Sequence, residues 1–550
     1  MKDNNLIQEI TKNTRASLFV ICILTCLVYA NTFVNGFVLQ DKSFIVDWPL
    51  IKDLNNLFQF FGPNNQPEAE TGIYSPLKTL FCAFNYHFFK ENPLGYHAIA
   101  LLVHLVGVIF VFRICLLLSV NNLAAFLSGL IFALHPVNSE AITFLTASID
   151  SSGVVFLFIS FYFFIKDGGI KDRILSVVFA FLAVFTNELT ITLALLFMLH
   201  EIYFRRERGI KKLFLRVAPF FLIAGIYILS KYLVLGSAAR GGYLLGSFYL
   251  TIIVLIKAFA KYIILLLFPF NLAVNHSLSP GIYSADWKYF DRYAFLSQSI
   301  LESQVIASIL IIFVLFYYSA RLARKNKIIS FSIYFFFVSL LPALNIISSE
   351  CYFAERYLYL ANLGFSLAFG VVAASLLLNN QIVKERRRYI AYIVFILFCF
   401  YAFRSVLRNS DWQNELTLAR AEQRAYPENP QANKNLGAVF LVTGMTGEAR
   451  RYLEKSISLK PSAEAYYFLS QANYELKNPQ SEMELLKKAL SLDPLFSEAH
   501  YNLATALMNL GEKEEAREHL SRAISLFLSE GKYDAAQVAQ QLFDKFLNIP

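Results

Sequence analysis

Asn35-Gly36-Phe37-Val38-Leu39-Gln40-Asp41 sets an acidic side chain just beyond a long apolar run, Ala16 to Phe33. A bilayer span takes roughly 20 apolar residues. Asp41 is therefore expected at the membrane face, at the start of a polar loop that runs to about Gly95. A carboxylate there, backed by an apolar bundle, is suited to act as general base toward a lipid-linked substrate. Taken alone, a single aspartate in that place reads as a solvated loop residue. The rest of the chain gives it weight.

Lysines supply the complementary charge. Phe248 to Phe268 is apolar and long enough to span, yet carries Lys257 and Lys261, four apart and so on one helical face. A lysine at the bilayer centre costs about 2.5–3.5 kcal/mol on an insertion scale. Two readings stand: a helix lying along or dipping into the outer leaflet, its lysines toward a polar cavity or a lipid headgroup, or an ordinary span with snorkelling lysines. Further polar groups fall in turns assigned to the same side: His97 after Gly95-Tyr96, His135-Pro136-Val137-Asn138-Ser139-Glu140, Thr186-Asn187-Glu188, and Glu350 to Tyr359. Glu140, Asp150 and Glu188 each read individually as helix-end caps. Gathered on one side of a membrane, the set points to a site.

These groups need a scaffold, and composition names it. Of 550 residues, 56% are hydrophobic and only 16% charged, against about 25% charged in a soluble domain. The formal charge of +9 does not point to nucleic acid, because the basic residues sit in short blocks between apolar runs. The blocks Lys166–Arg173, Arg205–Lys212, Arg321–Lys327 and Lys384–Arg388 are assigned to the cytoplasm. Between them the expected spans are about 17–35, 96–118, 122–136, 142–165, 174–187, 189–204, 213–235, 302–320, 328–347, 357–378 and 389–408, roughly eleven helices. The N-terminus is then cytoplasmic, and everything past Arg408 lies outside. The six cysteines lack metal-ligand spacing. Cys82 and Cys351 both fall near outer loops, where a disulfide between them is weakly supported. The first-loop aspartates Asp41, Asp47 and Asp53 could bind a divalent cation, but their spacing is no recognised ligand pattern and no metal ligand is assigned.

After Arg408 the apolar fraction drops and a repeat appears. Pro427, Pro461 and Pro494 stand 34 and 33 residues apart, and Leu436-Gly437, Leu469-Ser470 and Leu503-Ala504 align on them. Small residues where two helices cross and a proline between repeats make the tetratricopeptide pattern. The expected domains are 1–408, a membrane bundle with its first outer loop at about 36–95, and 409–550. The latter holds repeats at about 430–462, 463–496 and 497–530 and a C-terminal capping helix. The fold class is all-α: a polytopic helix bundle followed by a soluble solenoid whose groove binds extended peptides or helices.

Several motifs together resemble the transmembrane-and-tetratricopeptide O-mannosyltransferases, members of the GT-C superfamily of lipid-donor glycosyltransferases. They are Asn35-Gly36-Phe37-Val38, Tyr74-Ser75-Pro76-Leu77, Gly95-Tyr96-His97, His135-Pro136-Val137 with Glu140, Phe268-Pro269 followed by Asn275-His276-Ser277, Pro342 with Asn345, Glu355-Arg356-Tyr357-Leu358-Tyr359-Leu360, and Asp411-Trp412. The family's first-loop acidic pair reads Gln40-Asp41, leaving one carboxylate. The short repeat array is more like a bacterial relative. The resemblance implies a sugar on a polyprenyl phosphate as donor and a protein hydroxyl as acceptor. It implies Asp41 as base, Arg356, Lys257 and Lys261 as ligands of the donor phosphate, and His97, His135, Glu140, Glu188, Asn345 and Glu355 as residues orienting sugar or acceptor. No cofactor beyond the donor is assigned. The repeats would hold the acceptor protein outside, in a bacterial periplasm or, in a eukaryote, the endoplasmic reticulum lumen. A non-catalytic scaffold that gathers envelope proteins through its repeats is the alternative. A transporter fits less well, since the polar residues collect on one face instead of at mid-membrane.

Overall fold

A computed structural model describes residues 13–62, 73–205, 209–237, 243, 246–279, 282–283, 302–344 and 353–547. The chain divides into two compact units, Met1–Asn414 and Glu415–Pro550.

In the first unit, helix α1 (Thr14–Tyr29) runs into a 3-10 turn, Ala30–Val34. Short turns at Lys42–Val46, Pro49–Lys52 and Leu54–Phe61 lead toward α2 (Pro76–Phe89). There follow α3 (Pro93–Ser119), α4 (Asn122–Leu134), α5 (Ser139–Thr143), α6 (Leu145–Lys166), α7 (Ile170–Thr186), α8 (Leu193–Phe204), α9 (Ile210–Leu235) and α10 (Phe248–Leu267). Next come a small antiparallel pair, β1 (Ser277–Ser279) with β2 (Ile282–Tyr283), then α11 (Ser303–Leu322), α12 (Lys327–Ser339), α13 (Leu358–Leu378) and α14 (Lys384–Asp411). That pair is the one departure from an all-helical fold among the described residues.

Among the described residues eight helices are long and apolar enough to cross a membrane, nine if the pair 122–134 and 136–143, bent by 49°, is one span. Each of the eleven expected spans carries a helix. The shortfall in length lies in α7, α8 and α12, of 17, 12 and 13 residues. Helix α10 meets the length test, with 61% of its apolar window buried inside the protein. Burial also separates central from peripheral helices. The window of α6 is 72% buried, while those of α9, α11 and α14 are 22%, 17% and 17%, leaving Leu222, Phe313, Ile393 and Phe395 turned outward as lipid-facing positions.

Lipid tails are as apolar as leucine, so packing and hydrogen bonds must hold such a bundle together. Two glycines of α13 show how closely its backbones approach. A Cβ on Gly370 would stand 2.5 Å from the Ala124 carbonyl of α4, and one on Gly364 would stand 2.6 Å from the Ser332 carbonyl of α12. Polar side chains join the first and last helices. Asn31 and Asn35 donate to the carbonyls of Val406 and Asn409 (each 2.9 Å), and Asn409 donates back to Val28 at 3.0 Å.

The second unit begins with α15 (Glu415–Ala425). Three antiparallel pairs follow: α16 (Pro430–Val442) with α17 (Thr446–Leu459), α18 (Ala463–Glu475) with α19 (Pro479–Leu492), and α20 (Ser497–Leu510) with α21 (Lys513–Ser529). Helix α22 (Tyr533–Leu547) packs on α21. Small residues fill the crossings: a Cβ on Gly437 would stand 2.6 Å from the Leu453 side chain, and Ala449, Ala489, Ala504, Ala516 and Ala523 are fully buried.

Candidate active site

The segment carrying Asp41 is pinned at both ends. Asn35 and Gly36 bond to the backbone of Asn409 and Gln413. Beyond Asp41, Phe44, Ile45, Ile51 and Phe60 enter an apolar cluster with Cys82, Tyr86, Tyr96, Leu145 and Ile149. The loop is thus folded onto α2, α3 and α6 instead of standing in water. Asp41 is fully buried. One of its oxygens accepts from both the backbone N–H and the hydroxyl of Thr146, each at 2.7 Å, and the other accepts from the N–H of Val38 at 3.3 Å. Burial pushes the carboxyl up to about 6, outweighing the bonds from Thr146, Val38 and Leu145 that favour its charged form. The solvated-loop alternative does not describe this residue.

Four of the other predicted site residues come together around the 3-10 turn Glu355–Tyr357. Glu355 is a buried hub. Its Oε1 accepts from Ala273 N (2.5 Å) and His276 Nε2 (2.9 Å), and its Oε2 faces Arg408 Nη2 at 3.5 Å. Arg408, also fully buried, reaches Asp411 at 3.5 Å and lies over the Trp412 ring. Next to Glu355 in sequence, the partly exposed Arg356 donates to Glu140 Oε1 at 2.6 Å. The second oxygen of Glu140 is buried with no hydrogen-bond partner among the described residues. Glu140 lies within electrostatic reach of both Glu355 and Arg408. Lys261 donates to the Ser277 carbonyl at 2.5 Å and sits 5.8 Å from the Phe353 ring. Burial, with Lys261 and Arg408 nearby, holds the His276 imidazole neutral, well below its ordinary pKa.

The remaining predicted residues lie elsewhere. Lys257 pairs with Glu302 at 2.5 Å. Its ammonium and that of Lys261 thus both have polar partners in the protein. His135 Nε2 donates to the Leu266 carbonyl at 2.9 Å, its Nδ1 accepts from Val137 N, and the ring packs on Tyr401. His97 is buried beside the Asn35 backbone, and neither ring nitrogen is in hydrogen-bond geometry with a partner among the described residues. Glu188 belongs to a second polar group, in which Lys231 and the Tyr227 hydroxyl both approach it at 3.2 Å. Close by, Lys78 pairs with Asp150 at 3.2 Å, and Asn187 donates to the Asp150 carbonyl. Asp150 and Glu188 therefore form ion pairs, which the helix-cap reading did not supply. Asn345, Glu350 and Cys351 fall outside the described residues. Cys82 is buried with its thiol 3.8 Å from the Phe44 carbonyl.

His276, Arg408, Lys78 and Lys231 had no assigned role in the sequence. A signal was present for two of them: Lys231 follows Tyr227 by one helical turn inside an apolar run, and Arg408 stands one turn from both Arg404 and Asp411. Among the described residues no group of three or more His, Cys, Asp and Glu side chains gathers as a metal site.

Chemically, the structure offers a buried acid whose pKa burial pushes up to about 6, and a separate cluster where cations and carboxylates meet at a partly open arginine. Two tetratricopeptide-repeat family models match residues 444–495 and 473–537. A protein O-mannosyl-transferase of Caenorhabditis elegans is 25% identical over 82% of this chain and 63% of its own length. Protein O-mannosyl-transferase TMTC3 of Mus musculus is 23% identical over 97% of this chain and 57% of its own. The Homo sapiens protein of the same name is 22% identical over 98% of this chain and 58% of its own. The chain spans about three fifths of the length of these relatives.

Proposed function

From its place among TMTC-like transmembrane-plus-tetratricopeptide proteins, we propose that this chain transfers a mannose-like sugar from a polyprenyl phosphate to a protein hydroxyl. Asp41 takes the hydroxyl proton. The oxygen attacks the anomeric carbon, the bond from that carbon to the phosphate oxygen breaks, and the lipid phosphate leaves with the electron pair. Arg356 and Lys261 neutralise that charge, as cations positioned at a leaving phosphate do. Lys257 assists from the same helical face. Glu140 holds Arg356, Glu355 lies within electrostatic reach of Lys261, and His97 and His135 shape the space for sugar and acceptor. The reaction takes place on the face opposite the basic blocks, where the repeats recruit the acceptor.

The observation that carries this reading is the Asp41 carboxylate, whose pKa of about 6 suits a base working near neutral pH. The Thr146 hydroxyl, 2.7 Å from Asp41, stands where an acceptor serine or threonine hydroxyl would donate. Catalysis then requires the acceptor to take over that contact. The scaffold reading draws support from the same burial, and from Lys257 and Arg408 being paired with Glu302 and Glu355.

Transfer from a panel of polyprenyl-phosphate sugars to candidate acceptor proteins separates the two. Activity in the wild type that falls by at least about 10²-fold in Asp41→Asn supports the enzyme. Absence of transfer with every donor, by protein that is folded and binds its partners, supports the scaffold.

A further inference from the structure

At the end of the bundle that carries the basic blocks, a cleft of about 390 Å³ opens between α6, α7 and α9. It has nothing to do with the residues assigned to transfer. Its wall is apolar: Phe163, Val177, Leu215 and Phe220. Its floor is a fixed ion cluster. Asp167, just past the end of α6, is held by Arg205 (2.6 Å) and Arg216 (2.7 Å). Arg216 also donates to the Phe164 carbonyl and lies 3.4 Å from Glu201. These charges therefore satisfy one another.

The rim is different. Arg173 lines the cleft, is 70% exposed and meets Asp167 through Nε at 3.6 Å, a looser contact than those of Arg205 and Arg216. Lys212 is exposed and has no ionic partner among the described residues. Two cations thus stand over an apolar slot, Arg173 only loosely paired and Lys212 with no ionic partner among the described residues. The slot continues along the protein surface. Leu215, Pro219 and Leu222 follow the i, i+4, i+7 stripe of α9, and both leucines are more than 60% exposed.

We propose that this cleft binds an anionic phospholipid of the leaflet on the basic-block side, its phosphate between Arg173 and Lys212 and one acyl chain along Leu215, Pro219 and Leu222. Basic pockets between membrane helices take anionic headgroups in this way. The apolar stripe leading out of the cleft favours a lipid over a soluble phosphate, for which four apolar wall residues would have no use.

The test uses the full chain in nanodiscs of equal phosphatidylglycerol and phosphatidylcholine, with retained lipid read by native mass spectrometry. The wild type should retain phosphatidylglycerol at least about fivefold over phosphatidylcholine, and Arg173→Gln with Lys212→Gln should bring the ratio toward one. Both positions are exposed, so the unfolding temperature should not move. Glycerol phosphate in large excess should leave the lipid in place. Equal retention of the two lipids, enrichment that survives the double substitution, or displacement by glycerol phosphate would each overturn the assignment. The first removes anion selectivity, the second puts the lipid elsewhere, and the third makes the ligand a soluble anion.

Discussion

Asp41 and Thr146, 105 residues apart, are joined twice: one carboxylate oxygen receives both the backbone N–H and the hydroxyl of Thr146 at 2.7 Å. Burial has raised the Asp41 carboxyl to about 6 from 3.8, so the fold prefers its protonated form. That contribution to stability is complete below about pH 4 and is lost as pH rises through about 6, a change of about 3 kcal/mol at 1.36 kcal/mol per pKa unit. The catalytic reading needs the opposite form. Transfer should therefore rise with pH and reach half its maximum near pH 6, while thermal stability falls over the same interval. Thr146→Val removes one donor to the charged form and should move the acid limb of the rate profile upward. A limb that stays in place in Thr146→Val would detach Asp41 from the observed rate.

Glu355 and Arg408 form a buried pair with neither side chain exposed. Removing one partner strands the other. Glu355→Gln or Arg408→Met alone should lower stability by about 3–5 kcal/mol, read from unfolding in detergent. The double substitution should cost less than the two single costs combined, the mark of a coupled pair. Strict additivity would mean that His276 and Asp411, not each other, are the true partners.

Gly370 tests the packing of α13 against α4. With the Ala124 carbonyl 2.5 Å from where a Cβ would lie, Gly370→Val must push the helices apart at a cost of about 1–3 kcal/mol. Gly225, whose Cβ would meet nothing, is the control: Gly225→Val should leave the unfolding midpoint nearly unchanged. Similar losses at both sites would show that the effect is not one of packing.

The repeats contain their own pH response. His500 and His519 face each other across α20 and α21, Nδ1 to Nδ1 at 2.8 Å, and His500 Nε2 bonds to the Pro494 carbonyl. One proton must be shared between the facing nitrogens, so the two rings cannot both be charged. Burial lowers both pKa values. Arg522 adds to this at His500, and at His519 the facing His500 and Lys487 do so, against Asp493, Glu515 and Glu518. The resulting stability is present above pH 6.5 and lost as pH falls below it. Hydrogen-exchange protection over 497–529, taken relative to the intrinsic rate at each pH, should fall between pH 7 and pH 5, and His519→Gln should flatten that response.

Local signals in the sequence mark elements well and partners poorly. The i, i+4 spacing of Lys257 and Lys261 puts them on one face, and both find polar groups in the structure. Their partners, Glu302 and the Ser277 carbonyl, lie beyond any local pattern. Asp41 reads as the start of an open loop because its cover, Leu145 and Thr146, is supplied by another helix. Arg408 looks like a topological boundary and is instead a buried ion, since Glu355 and Trp412 close around it. The repeat unit is more legible: its contacts run between neighbouring helices of a 33- or 34-residue period, so spacing alone brings Gly437 to Leu453. Helix lengths at α8 and α12 escape hydropathy, which averages across the turns that shorten them.

The asparagine clasp between α1 and α14 joins positions 374 residues apart. A ribosome adding 5–20 residues per second therefore leaves Asn35 without its mate for roughly 20–75 s. Throughout that delay the first helix is already inserted, with an amide side chain at its end that has nothing to hold. Closure of the bundle is thus an event of late synthesis, and the segment bearing Asp41, which hangs from that clasp, becomes fixed only when the last helix arrives. A nascent chain stalled before Ser405 would carry every charged residue of the Glu355 turn except the arginine that balances it. Insertion factors or chaperones that shield unpaired intramembrane groups would engage α1 longer than the helices that follow it.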